Sequence, residues 1–436
     1  RLLMRAVVLA GCIAATIIAP ANASEDEPIP PSAPVFDMEI ALATGATDHL
    51  RAQSSSKTLI AYPSIAAYHR TRGALAKSDQ WARQCIENPS VKAQPSSEAL
   101  YHCLGILAGN QLWQGNISAW ADTMIKVRRL GGNNPVFGSS ALFLEAGISE
   151  APFESFLGRP TLKVSKRPDG VVEVPVRYLR GWPIVSAKLT GGKGSKRDIN
   201  IEFLIDTGAT RSILSHNFAK SINLDVTPGF SKERREGQVR STALVEPVNL
   251  TIGGIEIKDI SFSDNDGIDI NILGLDVIRQ LGPVLLSDKV VRILGNAWKY
   301  TGCTTGLRVT SDPWGRYWNL RSPMKVDGIE RLVMADTGMS GLLEVRGSRE
   351  AQPAGAAWSN ASVNTMFGRV DRRIRKQAVR LDGSGMNTNF EANVVEPVER
   401  PLEPESWILG GEALRTHNLL IAPNWGLMCW QKRDSE

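Results

Sequence analysis

Two periods of hydrophobicity divide this chain. From about Ala46 to Leu130 apolar residues recur at helical spacing, and from about residue 180 they fall into short runs, several alternating with polar residues and broken by glycine turns. In the first stretch Leu100, Cys103, Leu104 and Leu107 share one helical face, and Ser97 stands where it can cap that helix. Trp120, Met124 and Val127 repeat the spacing on a following helix, which Gly131-Gly132 ends. The pattern predicts a small αα-hairpin module over residues 46–150, loosely like a tetratricopeptide repeat; with fewer than three repeats it predicts no solenoid. Three roles stand open for it: docking a partner, inhibiting as a propeptide does, or packing as a cap on the β-rich remainder of the chain.

In the second stretch Val248-Asn249-Leu250-Thr251-Ile252 alternates, Gly253-Gly254 turns, and Ile255-Glu256-Ile257 alternates again, a strong β-hairpin signal. Residues 183–189 and 199–205 read as a second strand pair around a polar turn at 191–197. The acidic, Pro-rich stretch after residue 23 reads as a linker over residues 24–45.

Within the β-rich stretch the same short phrase occurs twice, Asp206-Thr207-Gly208 and Asp336-Thr337-Gly338. Each copy follows an apolar run, and each has a hydroxyl residue four positions after the Asp, Thr210 and Ser340. Each also has a later echo, Ile272-Leu273-Gly274 and Ile408-Leu409-Gly410. The offsets agree, 130 positions between the aspartates and 136 between the echoes, which reads as a duplicated unit. A lone Asp-Thr-Gly is an ordinary turn sequence. Two copies in matched context point to a pair of carboxylates delivered by buried strands into tight loops. Two carboxylates about 3 Å apart cannot both ionise, so they share a proton, one serving as base and the other as acid. Such a pair can activate water for hydrolysis of a peptide bond without metal, cofactor or nucleophilic side chain. Thr207 and Thr337 are placed to bond across the pair, and Gly208 and Gly338 to bring backbone N–H groups close to the carboxylates.

These motifs resemble those of the retropepsin-like and pepsin-like aspartic proteases, in a single-chain, two-lobed form, over about residues 180–430. The resemblance implies a mainly β, bilobal fold of two closed lobes, 176–299 and 300–434, preceded by the helical module. It implies Asp206 and Asp336 as the catalytic pair at the lobe interface, with the two Ile-Leu-Gly echoes backing the active-site loops. A protein or peptide would bind in extended form beneath hairpin flaps. The charged segments 231–242 and 364–379 lie where those flaps should be, and Arg369, Arg372, Arg373, Arg375 and Lys376 in the second read either as a solvated hairpin or as a cationic rim. Pepsin-type enzymes usually carry Ser or Thr directly after Asp-Thr-Gly; this chain has Ala209 and Met339. Losing a hydrogen bond to the charged form should raise the pair's pKa values and move the pH optimum toward mildly acidic to neutral. No match to the pepsin flap tyrosine is visible.

Composition changes the picture mainly through location. Arg5, an apolar run over 6–19 and Pro20-Ala21-Asn22-Ala23 read as a signal peptide cut after Ala23, hence an exported protein, periplasmic or secreted. The alternative is a lipid anchor on Cys12, in Leu9-Ala10-Gly11-Cys12. Cleavage leaves Cys85, Cys103, Cys303 and Cys429, and pairings 85–103 and 303–429 are expected among the three that four cysteines allow, against four buried thiols. A net charge of +5 over 436 residues and no recognised motif give nucleic-acid binding no support, and five scattered histidines show no metal-ligand spacing. His216 reads as a surface residue at a helix start.

The expected function is therefore aspartic endopeptidase activity by a monomer, without cofactor or metal, on exported or periplasmic proteins. Two alternatives remain: a homodimer pairing Asp206 from two chains, and a non-catalytic peptide-binding adaptor that keeps the fold.

Overall fold

The computed structural model describes residues 34–132, 134–138, 147–191, 198–235, 238–265, 267–295, 302–346, 357–365, 368–396 and 406–433. The expected signal peptide and Cys12 lie outside the described residues. The chain is mainly β, with two sheets and an N-terminal helical region. Among the described residues no helix is long and apolar enough to cross a membrane.

Among the described residues the fold opens on the helices Pro34–Thr44 (α1), Thr47–Ser54 (α2), Ala61–Thr71 (α3), Leu75–Glu87 (α4), Pro89–Lys92 (α5), Glu98–Trp113 (α6) and Ile117–Gly131 (α7). α1 corrects the expected linker: Met38, Ala41 and Leu42 bury one face against Leu50, Ala66 and Ala67, so the Pro-rich stretch yields to helix by residue 34. Ser97 caps α6 as expected, its Oγ accepting from Leu100 N at 3.3 Å. The one-sided face read for α6 is a correction too, since every residue from Ala99 to Trp113 is buried. α6 is a central helix, covered on one side by other helices and on another by the loop at Pro313-Trp314, against which Gly105 packs tightly and a side chain at Gly109 would collide.

That contact ties the helical region to the β region. Arg70 of α3, fully buried, donates to Asn110 Oδ1 (2.9 Å), to the Ile106 carbonyl (2.6 Å) and to the Asp312 carbonyl (2.8 Å), while its guanidinium covers the Trp113 ring at 4.6 Å. Trp113 in turn stacks on Trp318, with centroids 4.9 Å apart and planes 22° apart.

The strands run in order Lys163–Lys166 (β1), Val171–Leu179 (β2), Trp182–Thr190 (β3), Ile199–Ile205 (β4), Ile213–Ser215 (β5), Val226–Arg235 (β6), Gln238–Val245 (β7), Val248–Ile252 (β8), Ile255–Ile260 (β9), Ser263–Asn265 (β10), Ile272–Leu273 (β11), Val284–Leu286 (β12) and Val290–Leu294 (β13). The second half adds Arg308–Ser311 (β14), Trp318–Val326 (β15), Ile329–Asp336 (β16), Leu343–Arg346 (β17), Ser359–Thr365 (β18), Gly368–Gly383 (β19), Met386–Val395 (β20), Ser406–Gly410 (β21), His417–Ala422 (β22) and Leu427–Lys432 (β23). The strand pairs expected at 183–189 with 199–205 and at 248–252 with 255–257 form as antiparallel ladders.

The duplication is visible as topology. The order β3-β4-β11-β5-β10-β7-β6 in the first half is matched by β15-β16-β21-β17-β20-β19-β18 in the second. Every pairing along the two rows has the same sense, including the parallel pairs β4–β11 and β16–β21. Each Asp strand is thus followed, on its inner side, by its own Ile-Leu-Gly echo.

The division expected at 299/300 is not one of sheets. β12 and β13 pair with each other, β13 continues antiparallel onto β2, and β12 continues antiparallel onto β22, so strands of both halves share one sheet. Strands β1 and β2 also place sheet before residue 176; their solvent-facing Lys, Arg and Glu dilute the apolar signal.

Both expected disulfides are present, Cys85–Cys103 with Cα atoms 6.2 Å apart and Cys303–Cys429 with Cα atoms 5.8 Å apart. The second closes a separation of 126 residues. In the chain-entropy view a Cys303→Ser/Cys429→Ser double variant should lose about 4–5 kcal/mol, read from denaturant midpoints, against about 3 kcal/mol for the pair 85–103.

Candidate active site

Both Asp-Thr-Gly loops meet at the junction of the two sheets, and the threonines knit them. Thr207 N donates to Thr337 Oγ1 at 3.0 Å, and Thr337 N donates to Thr207 Oγ1 at 3.0 Å. Each hydroxyl then donates to the strand that bears the opposite aspartate, Thr207 Oγ1 to the Ala335 carbonyl (2.8 Å) and Thr337 Oγ1 to the Ile205 carbonyl (2.6 Å). All four bonds are buried and cross between the halves, which makes the two loops a single rigid piece.

The carboxylates are held from below by backbone. Asp206 Oδ1 accepts from Gly208 N (2.8 Å) and Ala209 N (3.0 Å), and Asp336 Oδ1 accepts from Gly338 N (3.0 Å) and Met339 N (3.1 Å). Where a side-chain hydroxyl is missing at 209 and 339, the backbone N–H of the same residue is the donor. The glycines are required for space rather than for a left-handed turn: a Cβ on Gly208 would collide with the Asp336 carboxylate, and one on Gly338 with that of Asp206. The two acids are therefore brought against one another. Asp206 Oδ2 is buried with no donor in the protein, and the neighbouring Asp336 carboxyl can supply one only when a proton is shared.

Electrostatics follow. Burial, then the charge of Asp336, pushes the Asp206 carboxyl well above the ordinary carboxylate range. Asp336 retains some solvent contact but is enclosed enough that burial raises it too, while the Arg346 guanidinium opposes the rise. Arg346 favours the anion on Asp336 and so makes the two carboxyls unequal. Nothing in the sequence marks Arg346, since it lies ten residues past Asp336 on another strand.

The echoes lie behind the loops. Asp206 N donates to the Leu273 carbonyl (3.0 Å), Leu275 N to the Ala209 carbonyl (2.9 Å) and Gly411 N to the Met339 carbonyl (2.7 Å). Ile272 and Leu273 run parallel to Leu204 and Ile205, as Ile408 and Leu409 run parallel to Met334 and Ala335. Gly274 and Gly410 lack room for a Cβ, the first against Arg211 and Ala209, the second against Met339 and Gly341. Asp276, unremarked in the sequence, is buried and accepts from Ser212 N (2.9 Å) and Ser212 Oγ (2.7 Å), which fixes the first loop's exit.

Thr210 does not reach the carboxylates; its Oγ1 accepts from Trp318 N at 2.9 Å, linking the first loop to the second half. Ser340 contributes its carbonyl, which packs on Gly181. His216 opens the short helix His216–Ser221 with Nδ1 3.0 Å from Asp264 Oδ2.

The expected flaps are hairpins, β6–β7 and β18–β19. The cations of the second are largely matched: Arg372 pairs with Glu344 (3.0 Å), Arg373 with Glu396 (2.9 Å) and Lys376 with Glu391 (2.5 Å). Arg375 is buried over the Trp358 ring at 5.3 Å. The side chain of Arg369 lies outside the described residues. This pairing favours the solvated-hairpin reading over the cationic rim.

Residues 194–280 match the family described as "gag-polyprotein putative aspartyl protease", a span that includes Asp206-Thr207-Gly208 and Ile272-Leu273-Gly274. No curated protein matches the chain. Among solved structures, the crystal structure of basic 7S globulin from soybean is similar over 61% of this chain and 96% of that chain, at 10% identity and a TM-score of 0.34. The first half thus carries an aspartyl-protease-like domain, which suggests proteolysis.

Proposed function

We propose that the chain is a single-chain aspartic endopeptidase in which Asp206 and Asp336 act together on one water. The observation that carries this reading is the reciprocal Thr207–Thr337 bonding, which brings both carboxylates of one chain into contact. The same contact disfavours a homodimer built on Asp206 alone, because Asp336 already fills the partner position. Asp336, whose anion the Arg346 charge favours, takes a proton from water as that water attacks the peptide carbonyl carbon. Asp206, holding the shared proton, gives it to the carbonyl oxygen. The roles then exchange: Asp206, now ionised, takes a proton from the diol hydroxyl as the carbonyl re-forms, and Asp336 gives its proton to the leaving nitrogen as the C–N bond breaks, which restores the shared proton.

Two lobes built on the matched strand rows would form the cleft, with an extended peptide lying beneath the hairpins β6–β7 and β18–β19. Two disulfides, and no membrane-crossing helix among the described residues, fit an exported protein acting on exported or periplasmic substrates.

The test is cleavage of a peptide library by the purified chain, repeated over a dilution series. Activity per chain should stay constant on dilution; activity that falls with dilution would restore the homodimer, and no cleavage at any pH would favour the adaptor. A second expected outcome concerns pH. Because both carboxyls are raised, the limb at which the base is lost to protonation and the limb at which the acid is lost to ionisation both move to higher pH. The optimum should be mildly acidic to neutral, and a profile peaking below about pH 3, the region set by a pepsin-like pair, would contradict the assignment.

A further inference from the structure

The hairpin that opens the first half reaches across to the second half's catalytic loop. Tyr178 Oη donates to the Gly411 carbonyl at 2.9 Å, Gly181 packs between Ser340 and Gly411, and the Trp182 indole Nε1–H donates to the Gly338 carbonyl at 2.9 Å. The last contact is unusual in its place. β3 pairs antiparallel with β4 from Leu189–Ile199 to Ile184–Leu204, and two further steps of that register set Trp182 opposite Asp206. The same extension of β15 and β16 from Arg321–Met334 sets Asn319, not an indole, opposite Asp336. The duplicated site is therefore asymmetric at this position.

An extended peptide lying on the pair brings main-chain N–H groups that need acceptors once buried. On the two loops the carbonyls of Gly208 and Gly338, two residues after each aspartate, are candidate acceptors. The Gly208 carbonyl has no donor among the described residues, whereas that of Gly338 is occupied by Trp182. Trp182 is half-buried at a hairpin end, with part of its surface open to solvent.

We propose that Trp182 gates one side of the catalytic cleft: its indole holds the Gly338 carbonyl in the free protein, and a peptide binds across the aspartates by displacing it. This inference rests on the peptidase reading above. Peptide binding then exchanges one hydrogen bond for another on the Gly338 side and gains one outright on the Gly208 side, so the two directions from the scissile bond are unequal.

The test uses Trp182→Phe, which keeps a ring and removes the N–H, in the full chain. Its KM should fall about three- to tenfold, the factor expected for one hydrogen bond no longer displaced, with the fall in KM larger than any change in kcat. A KM unchanged or raised would overturn the gate. A direct readout is the indole 15N–1H signal of Trp182, assigned by its loss in Trp182→Phe, followed in Asp206→Asn while a library-selected substrate is added. Its shift and faster exchange with solvent on binding are expected. Binding that moves other signals and leaves Trp182 untouched overturns the gate while the peptidase reading stands. Absence of both binding and cleavage in the wild type overturns both.

Discussion

Replacing Asp206 or Asp336 by asparagine should each abolish cleavage, with kcat lowered by about 10⁴, the upper range for loss of a positioned acid or base. In the proposed mechanism neither acid acts alone, because each needs the other to hold or release the shared proton. The fold should respond in the opposite sense. Asp206 is buried with an oxygen that no protein donor satisfies, and its carboxyl is raised above its unfolded value by burial and by Asp336. A carboxyl raised in the folded state contributes fully below its unfolded pKa, and that contribution is lost as pH rises through the folded pKa. Asp206→Asn, which never ionises, should therefore show an unchanged or higher thermal midpoint at neutral pH than the wild type. Thermal unfolding beside peptide cleavage checks both halves. A variant that keeps a tenth or more of wild-type kcat would remove that aspartate from the mechanism.

The second large effect is expected far from the aspartates. Trp113→Ala should cost about 3–5 kcal/mol, the range for deleting a buried tryptophan. Trp113 lies between the Arg70 guanidinium and the Trp318 ring, and loss of its indole leaves both without their packing partner. Trp318 N–H in turn donates to Thr210, four residues after Asp206, so cleavage should weaken along with stability. Chemical denaturation of Trp113→Ala measures the first, and kcat well below the midpoint the second. Ile329→Thr, at the first residue of β16 and 56% exposed, is the control and should be within about 0.5 kcal/mol of wild type. A stable, more active Trp113→Ala would instead favour the removable-inhibitor role for the helices. The buried contacts at Arg70, Gly105 and Gly109 weigh toward the packing cap.

Much of the site is legible in the sequence because it is written in local phrases. Asp-Thr-Gly, its Ile-Leu-Gly echo and the Gly253-Gly254 hairpin each depend on a few consecutive residues, and the duplication lets one copy be read against the other. The cysteine pairing follows from placing each residue on its element. The features that stay hidden depend on contacts between distant segments. Arg70 reaches Asp312, Trp182 reaches Gly338 and Trp318 reaches Thr210, and no spacing rule connects such positions. Spacing alone makes α6 look one-sided because a central helix has no solvent face to mark, and Gly105 and Gly109 are the signs of close approach that a strict face reading passes over. α1 is hidden although Met38, Ala41 and Leu42 have helical spacing, because the acidic, Pro-rich residues before it set the expectation. β2 is hidden because Glu173, Pro175 and Arg177 interrupt its apolar residues.

The sheet shared by β2, β13, β12, β22 and β23 bears on how this gene can change. A chain ending near residue 300 would keep the first Asp-Thr-Gly loop and the domain that matches over 194–280. It would also strip β22 from β12 and bare a row of backbone donors and acceptors flanked by Val284 and Leu286, the kind of open edge that recruits other chains. A chain of half this length would therefore need another strand to cover the β12 edge, a protection that each half here supplies to the other.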